Sequence, residues 1–196
     1  MGLVSCLQAH AGPKCSYDRE RLLALDEASF DQDLSGGGQG WRAVANVPGC
    51  ELAAADLLAA YRKAHPGGSD TLSWHEGQLR AMAGQYTQAI PLLEAARKPA
   101  ELDPAGWNAY VDATVAFLRG DRAALAKAQA ALASVQPAAG MPPLKDGFME
   151  LPNEAGGPPI RVRWPPNGDV VEGFVRCFGK PYSQAYGAAS CRGPSH

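Results

Sequence analysis

The stretch from Asp31 to Trp41, DQDLSGGGQGW, carries residue types that two kinds of chemistry use. Asp31, Asp33, Ser35 and Gly36 fall at positions one, three, five and six of a calcium loop. Gly36, Gly38 and Gly40 suggest a turn whose backbone amides cradle a phosphate. Position twelve of a calcium loop must supply a bidentate carboxylate, and Arg42 stands there, where it would repel the ion. The phosphate turn needs a strand ahead of the glycines, and the residues before them read as helix. The stretch is therefore expected to be structural. A helix ends near Asp33, and the glycines supply the positive φ angles that turn the chain into Trp41.

Other chemistry-bearing residues are equally plain in their patterns. His75-Glu76 opens like a zinc-protease helix, but Leu79 occupies the place of the second histidine. Ser73, beside Trp74 and His75, lacks the glycines of a nucleophile elbow. His65-Pro66 suits a helix end, where a cationic ring favours the dipole. Glu101 and Asp103 precede a proline, where carboxylates that start helices are routine. With no acid, base and nucleophile set visible, the expectation is a non-enzymatic protein with no metal and no cofactor. One alternative is an enzyme of unidentified class with its site at the junction with the C-terminal segment. A cluster of His, Asp and Glu in a deep pocket there would mark it. Another is a structural envelope protein with no dedicated ligand.

The cysteines bear on compartment. The N-terminus reads MGLVSCLQAHAGPKC, in which Ala9-His10-Ala11 has the form of a signal-peptidase site with cleavage after Ala11. No charged region precedes it and the apolar stretch is short, so residues 1–11 read as a signal-peptide remnant. Leu3-Val4-Ser5-Cys6 also resembles a lipobox, which would make Cys6 a lipid anchor. Removing Cys6 from the five cysteines leaves Cys15, Cys50, Cys177 and Cys191, which allow three pairings. The pairs Cys15–Cys50 and Cys177–Cys191 are favoured because each brackets one end of the chain; four buried thiols are the alternative. The short paired spacings of a zinc site and the Cys-x-x-Cys of a redox motif are both absent. Disulfides persist in an oxidising compartment, so a periplasmic or secreted protein is expected.

The totals exclude some partners. Lys plus Arg is 18 and Asp plus Glu is 20 in 196 residues, so no basic excess exists to neutralise phosphates, and nucleic acid is not an expected partner. The apolar runs fall short of the roughly 18 residues of a membrane span. Alanine dominates residues 43–139, whereas Pro and Gly crowd residues 137–168. That shift divides the chain into a helical domain, 12–136, and a C-terminal appendage, 137–196.

What must position any site is a repeat. Trp41, Trp74 and Trp107 stand at one spacing of 33 residues, and each opens a helical stretch, a glycine turn (Gly49, Gly84, Gly120) and an alanine-rich second helix. A period near 33 with two helices per unit marks an α-solenoid. In the third unit Trp107, Tyr110, Val111, Thr114, Phe117 and Leu118 share one face, and Asp121 can cap the next helix. A helix over residues 17–31, with Leu22, Leu23, Leu25 and Phe30, would cap the stack, and Cys15–Cys50 would staple it down.

The middle unit, with Gly77, the turn Gly84-Gln85-Tyr86-Thr87 and then Ala89, resembles a tetratricopeptide repeat, and residues 41–133 follow the same plan more loosely. The resemblance implies a mainly α superhelix of helical hairpins that binds a protein or peptide along the groove lined by its first helices. By position that groove involves Trp74, Gln78 and Met82 in the middle unit, and Tyr110 and Thr114, flanked by Asn108 and Asp112, in the third. In the appendage, Ile160, Val162 and Trp164 alternate with Arg161 and Arg163 as in a short strand. A short helix from Asn167 or Asp169 to Cys177 and a further turn through Tyr182 follow. The segment is expected to cap the stack, or to present Arg161, Arg163 and Trp164 to an anionic or peptide ligand.

Overall fold

The computed structural model describes residues 15–32, 39–153 and 156–192. The signal-site and lipobox residues, with Cys6 and Ala11, lie outside them, as do Ser35 and Gly36. Among the described residues the chain is mainly helical with one small sheet. Short α1 (Arg19–Leu23) and a π-helical turn (Ala28–Gln32) lead into three helix pairs: α2 (Trp41–Ala45) with α3 (Glu51–Ala64), α4 (Asp70–Met82) with α5 (Tyr86–Ala95), and α6 (Trp107–Arg119) with α7 (Arg122–Ala133). Strands β1 (Leu144–Lys145), β2 (Phe148–Leu151) and β3 (Ile160–Arg163) follow, then α8 (Gly168–Arg176), α9 (Tyr182–Gly187) and α10 (Ala189–Arg192).

The pairs form where local signals agree. Gly84 and Gly120 take positive φ, 79° and 69°, and the chain reverses at both, since only glycine enters that region without strain. Asp121 caps α7 by accepting the N–H of Ala124 at 2.9 Å. The Asp103 carboxylate accepts the N–H groups of Trp107 and Asn108 and so starts α6. Gly77 sets the closeness of α4 to α5. A Cβ there would lie 2.8 Å from Leu93 Cγ and 3.3 Å from the Ala89 carbonyl oxygen, so the pair meets across glycine and alanine. At the first pair the leading helix is cut to five residues, ending before Pro48 and Gly49.

Two apolar clusters form the interior. One holds Leu22, Phe30, Trp41, Val44, Leu57, Leu58, Tyr61, Leu72 and Leu79. Phe30 stacks on Tyr61 with ring centroids 3.7 Å apart. The other joins α4 to α7 with Val170, Val171, Phe174, Tyr182 and Ala185. Helix α4 contributes to both, with Leu72 and Leu79 in the first and Trp74 and Ala81 in the second. Residues 17–31 differ from the single expected helix: α1 stops at Leu23 and the π-helical turn takes Phe30 and Asp31 inward.

The helices after residue 167 are not peripheral. Helix α8 lies against α6 and α7, and Phe174 stacks on Phe117 at 4.8 Å. Helix α9 reaches back to α4, and the backbone N–H of Tyr182 donates to the Tyr86 hydroxyl at 3.0 Å. The expected boundary at residue 137 therefore separates compositions, while the C-terminal helices share the core of the pairs. This also explains why α6 is buried almost all round rather than on one stripe. The sheet runs β1-β2-β3, antiparallel, with Met149 opposite Leu144 and Val162. Trp164 ties its end to α7 by donating its indole N–H to the Val135 carbonyl at 2.8 Å. The first two strands were not anticipated, although Asp146-Gly147 between them is a favoured hairpin dipeptide and both residues take positive φ, 52° and 79°.

Gly40 closes the glycine-rich stretch in a way that demands glycine. A Cβ there would lie 1.8 Å from the Phe30 carbonyl oxygen and 2.6 Å from its carbon. Its φ of −95° is ordinary, so space rather than conformation is limiting. Gly40→Ala should push the π-helical turn off α2 and destabilise the protein by about 1–3 kcal/mol, the usual range for overpacking. Urea unfolding of the variant beside wild type measures this.

Candidate functional site

The first-helix face is built around rings. Trp74 of α4 lies 4.6 Å from Trp107 and 5.0 Å from Tyr110 of α6, centroid to centroid. The Trp107 indole N–H donates to the Ala96 carbonyl at 2.7 Å, fixing α6 against the end of α5. Residues three and four apart on a helix share a face, which is how a spacing read from sequence becomes a contact surface.

The seven groove residues fall into two groups. Trp74, Tyr110 and Thr114 are buried, at 3%, 2% and 0% exposure. The Thr114 hydroxyl donates to the Tyr110 carbonyl of its own helix. Gln78 and Met82 are half-buried, Asn108 is half-buried and Asp112 is exposed. Asn108 bridges to Lys98, accepting its N–H at 3.0 Å and donating to its carbonyl at 2.8 Å, while Asp112 pairs with Arg97. The chain's own C-terminal segment shares the apolar cluster that holds Trp74 and Tyr110. Tyr182, fully buried, packs on this face beside Phe117 and Phe174. Burial pushes the phenol of Tyr182 far above its usual range, with the neighbouring Tyr186 adding to the rise. Its hydroxyl lies towards Gln78 without a hydrogen bond of normal geometry. Burial likewise raises Tyr110. Around them Arg192 of α10 pairs with Asp169 and donates to the Tyr186 carbonyl at 2.9 Å.

A second polar centre was not anticipated. Asp31, read from sequence as the end of a helix, is fully buried. Its Oδ1 accepts the Trp41 indole N–H at 2.7 Å and lies 2.6 Å from His75 Nδ1. The Arg42 Nε donates to the Asp31 backbone carbonyl at 3.0 Å, and its guanidinium sits 4.3 Å over the Trp41 ring. The aspartate that could have been a calcium ligand thus holds the N-terminal turn, α2 and α4 together. Burial alone would raise its pKa, but hydrogen bonding and charge from His75, with Trp41 and Arg42, outweigh it and hold the carboxyl below the usual value. No local spacing could have revealed this, since His75 is 44 residues away. Nearby, the buried Glu76 is held between Arg62 at 2.7 Å and Arg80 at 2.8 Å.

A depressed carboxyl pKa contributes stability above the unfolded value, near 3.8, and that contribution is lost as pH falls through the lower folded value. Asp31→Asn should therefore cost about 1–3 kcal/mol near neutrality, the cost of weakening a buried charged hydrogen bond. The gap between the variant and wild type should narrow as pH is lowered below 3.8. Urea melts of both proteins from pH 6 to pH 3 read the two curves.

Both favoured cystines are present. Cys15–Cys50 has Sγ atoms 1.99 Å apart and Cys177–Cys191 2.04 Å. The first joins the segment before α1 to the start of α3, and the second ties α8 to α10 around α9. Among the described residues no helix is long and apolar enough to cross a membrane. No known family model, curated protein sequence or solved structure matches the chain.

Proposed function

We propose that the chain is a non-enzymatic, tetratricopeptide-like binding module of the bacterial envelope, working in the periplasm or outside the cell on a protein or peptide partner. The docking of Tyr182 carries this reading. The face made by α4 and α6 already seats a short aromatic helical turn, its own α9, and Tyr86 holds the backbone N–H of that turn at 3.0 Å. Helical grooves take partner helices by seating side chains spaced along one face. The inner positions Trp74, Tyr110 and Thr114 are buried, so a partner would meet the rim at Met82, Gln78, Asn108 and Asp112. The two cystines support an oxidising compartment. An envelope scaffold, an assembly factor and an immunity protein against a delivered toxin all fit this role.

The same burial favours a second reading, a structural envelope protein whose first-helix face serves only its own core. Photocrosslinking residues at Met82, at Asp112 and, as a control, at Lys127 on the exposed side of α7 separate the two in cells expressing the protein from its native locus. One shared adduct from Met82 and Asp112, absent from Lys127, is the expected result. Adducts from all three alike, or from none, would remove the rim as a binding surface.

A further inference from the structure

A cavity of about 250 Å³ lies beside the Cys15–Cys50 bond, between α1 and α2. Its floor is apolar, with Leu22, Ala43, Val44 and Val47; Leu22 and Val44 are buried, whereas Val47 is 44% exposed. Its wall is the cystine itself. Two opposite charges, Asp18 and Arg21, also line it. They form no ion pair with each other. The Asp18 carboxylate uses Oδ1 to cap α1, accepting the Arg21 backbone N–H at 3.0 Å. Asp18 and Arg21 are both exposed residues, at the solvent side of the apolar floor.

We propose that this cavity binds a free aliphatic amino acid. Arg21 would take the carboxylate, as a fork of donors suited to two oxygens. Asp18 Oδ2 would take the ammonium. The branched side chain would rest on Val44, Val47 and Leu22, where each methylene removed from water contributes to affinity. A cavity of about 250 Å³ suits a ligand the size of valine or leucine. One positive and one negative group over an apolar floor match a zwitterion better than either a simple anion or an amine. The cystine holds the segment before α1 to α3 and so keeps the two walls in place before a ligand arrives.

Isothermal titration of the intact, oxidised protein tests this with L-leucine, L-leucinamide, 4-methylpentanoate and glycine. Leucine should bind saturably, and the other three, each lacking one of the features read, should bind at least tenfold more weakly. Arg21→Gln and Asp18→Asn should each weaken leucine at least tenfold; asparagine retains the capping oxygen, so α1 survives the second change. Circular dichroism of both variants should match wild type. No saturable leucine binding at millimolar concentration would overturn the proposal. So would equal binding by both variants, or 4-methylpentanoate binding as well as leucine, which would reduce the site to one that reads a carboxylate alone.

Discussion

Phe174→Ala should destabilise the protein by about 3–5 kcal/mol, the range for removing a buried aromatic ring. Phe174 is fully buried, stacks on Phe117 at 4.8 Å and lies 5.6 Å from Tyr182. Its loss leaves a void bordered by α6, α8 and α9, and rigid neighbours can close only part of it. If residues after 137 were a loosely attached appendage, the variant would retain the stability of the helix pairs and lose only C-terminal protection. If they belong to the common core, the whole denaturant midpoint moves. Urea unfolding followed by far-ultraviolet circular dichroism, together with fluorescence from the four tryptophans, Trp41, Trp74, Trp107 and Trp164, distinguishes the two. A single displaced transition seen by both probes is expected.

The second large effect concerns the N-terminal cystine. Cys15→Ser and Cys50→Ser should each lower stability by about 4 kcal/mol, because the bond closes a loop with a sequence separation of 35 and the open chain regains that entropy. The double variant should cost no more than either single one, since one bond is lost in all three cases. For Cys177–Cys191, with a separation of 14, the same treatment gives about 3 kcal/mol. Additive losses for Cys15 and Cys50 in denaturant melts would mean that each sulfur contributes by packing rather than through the bond.

The parts of this fold that were legible in sequence are those set by local chemistry. Gly84 and Gly120 mark turns because positive φ favours glycine, and Asp121 marks a start because its carboxylate reaches an amide three residues on. The pairing of cysteines followed from which ends of the chain they bracket. The strand at Ile160–Arg163 was visible in its alternation, and a short helix starting at Asn167 or Asp169 was expected after it. Less visible was anything decided by contacts across long separations. Asp31 carries the same letter whether it ends a helix, binds calcium or accepts an indole and an imidazole. Tyr182 looks like a turn residue until α9 is seen on α4, in one apolar cluster with Trp74 and Tyr110. Periodicity correctly placed them on one face, but it does not say whether that face meets solvent, a partner or the chain's own end. The hairpin at Asp146-Gly147 did carry a local signal, obscured by the prolines and glycines around it.

Helix α4 gives side chains to both apolar clusters, Leu72 and Leu79 to one, Trp74 and Ala81 to the other. A stack of repeats with interiors shared only between neighbours can fray from either end while its middle stays folded. Here the fraying would have to pass through a helix that neither cluster can release without exposing the other. Cooperativity in this protein is therefore concentrated in one thirteen-residue element. A lesion at the Asp31 end should reach Phe174 through α4 with no contact between them, and the last amides to exchange with solvent should be those of this helix.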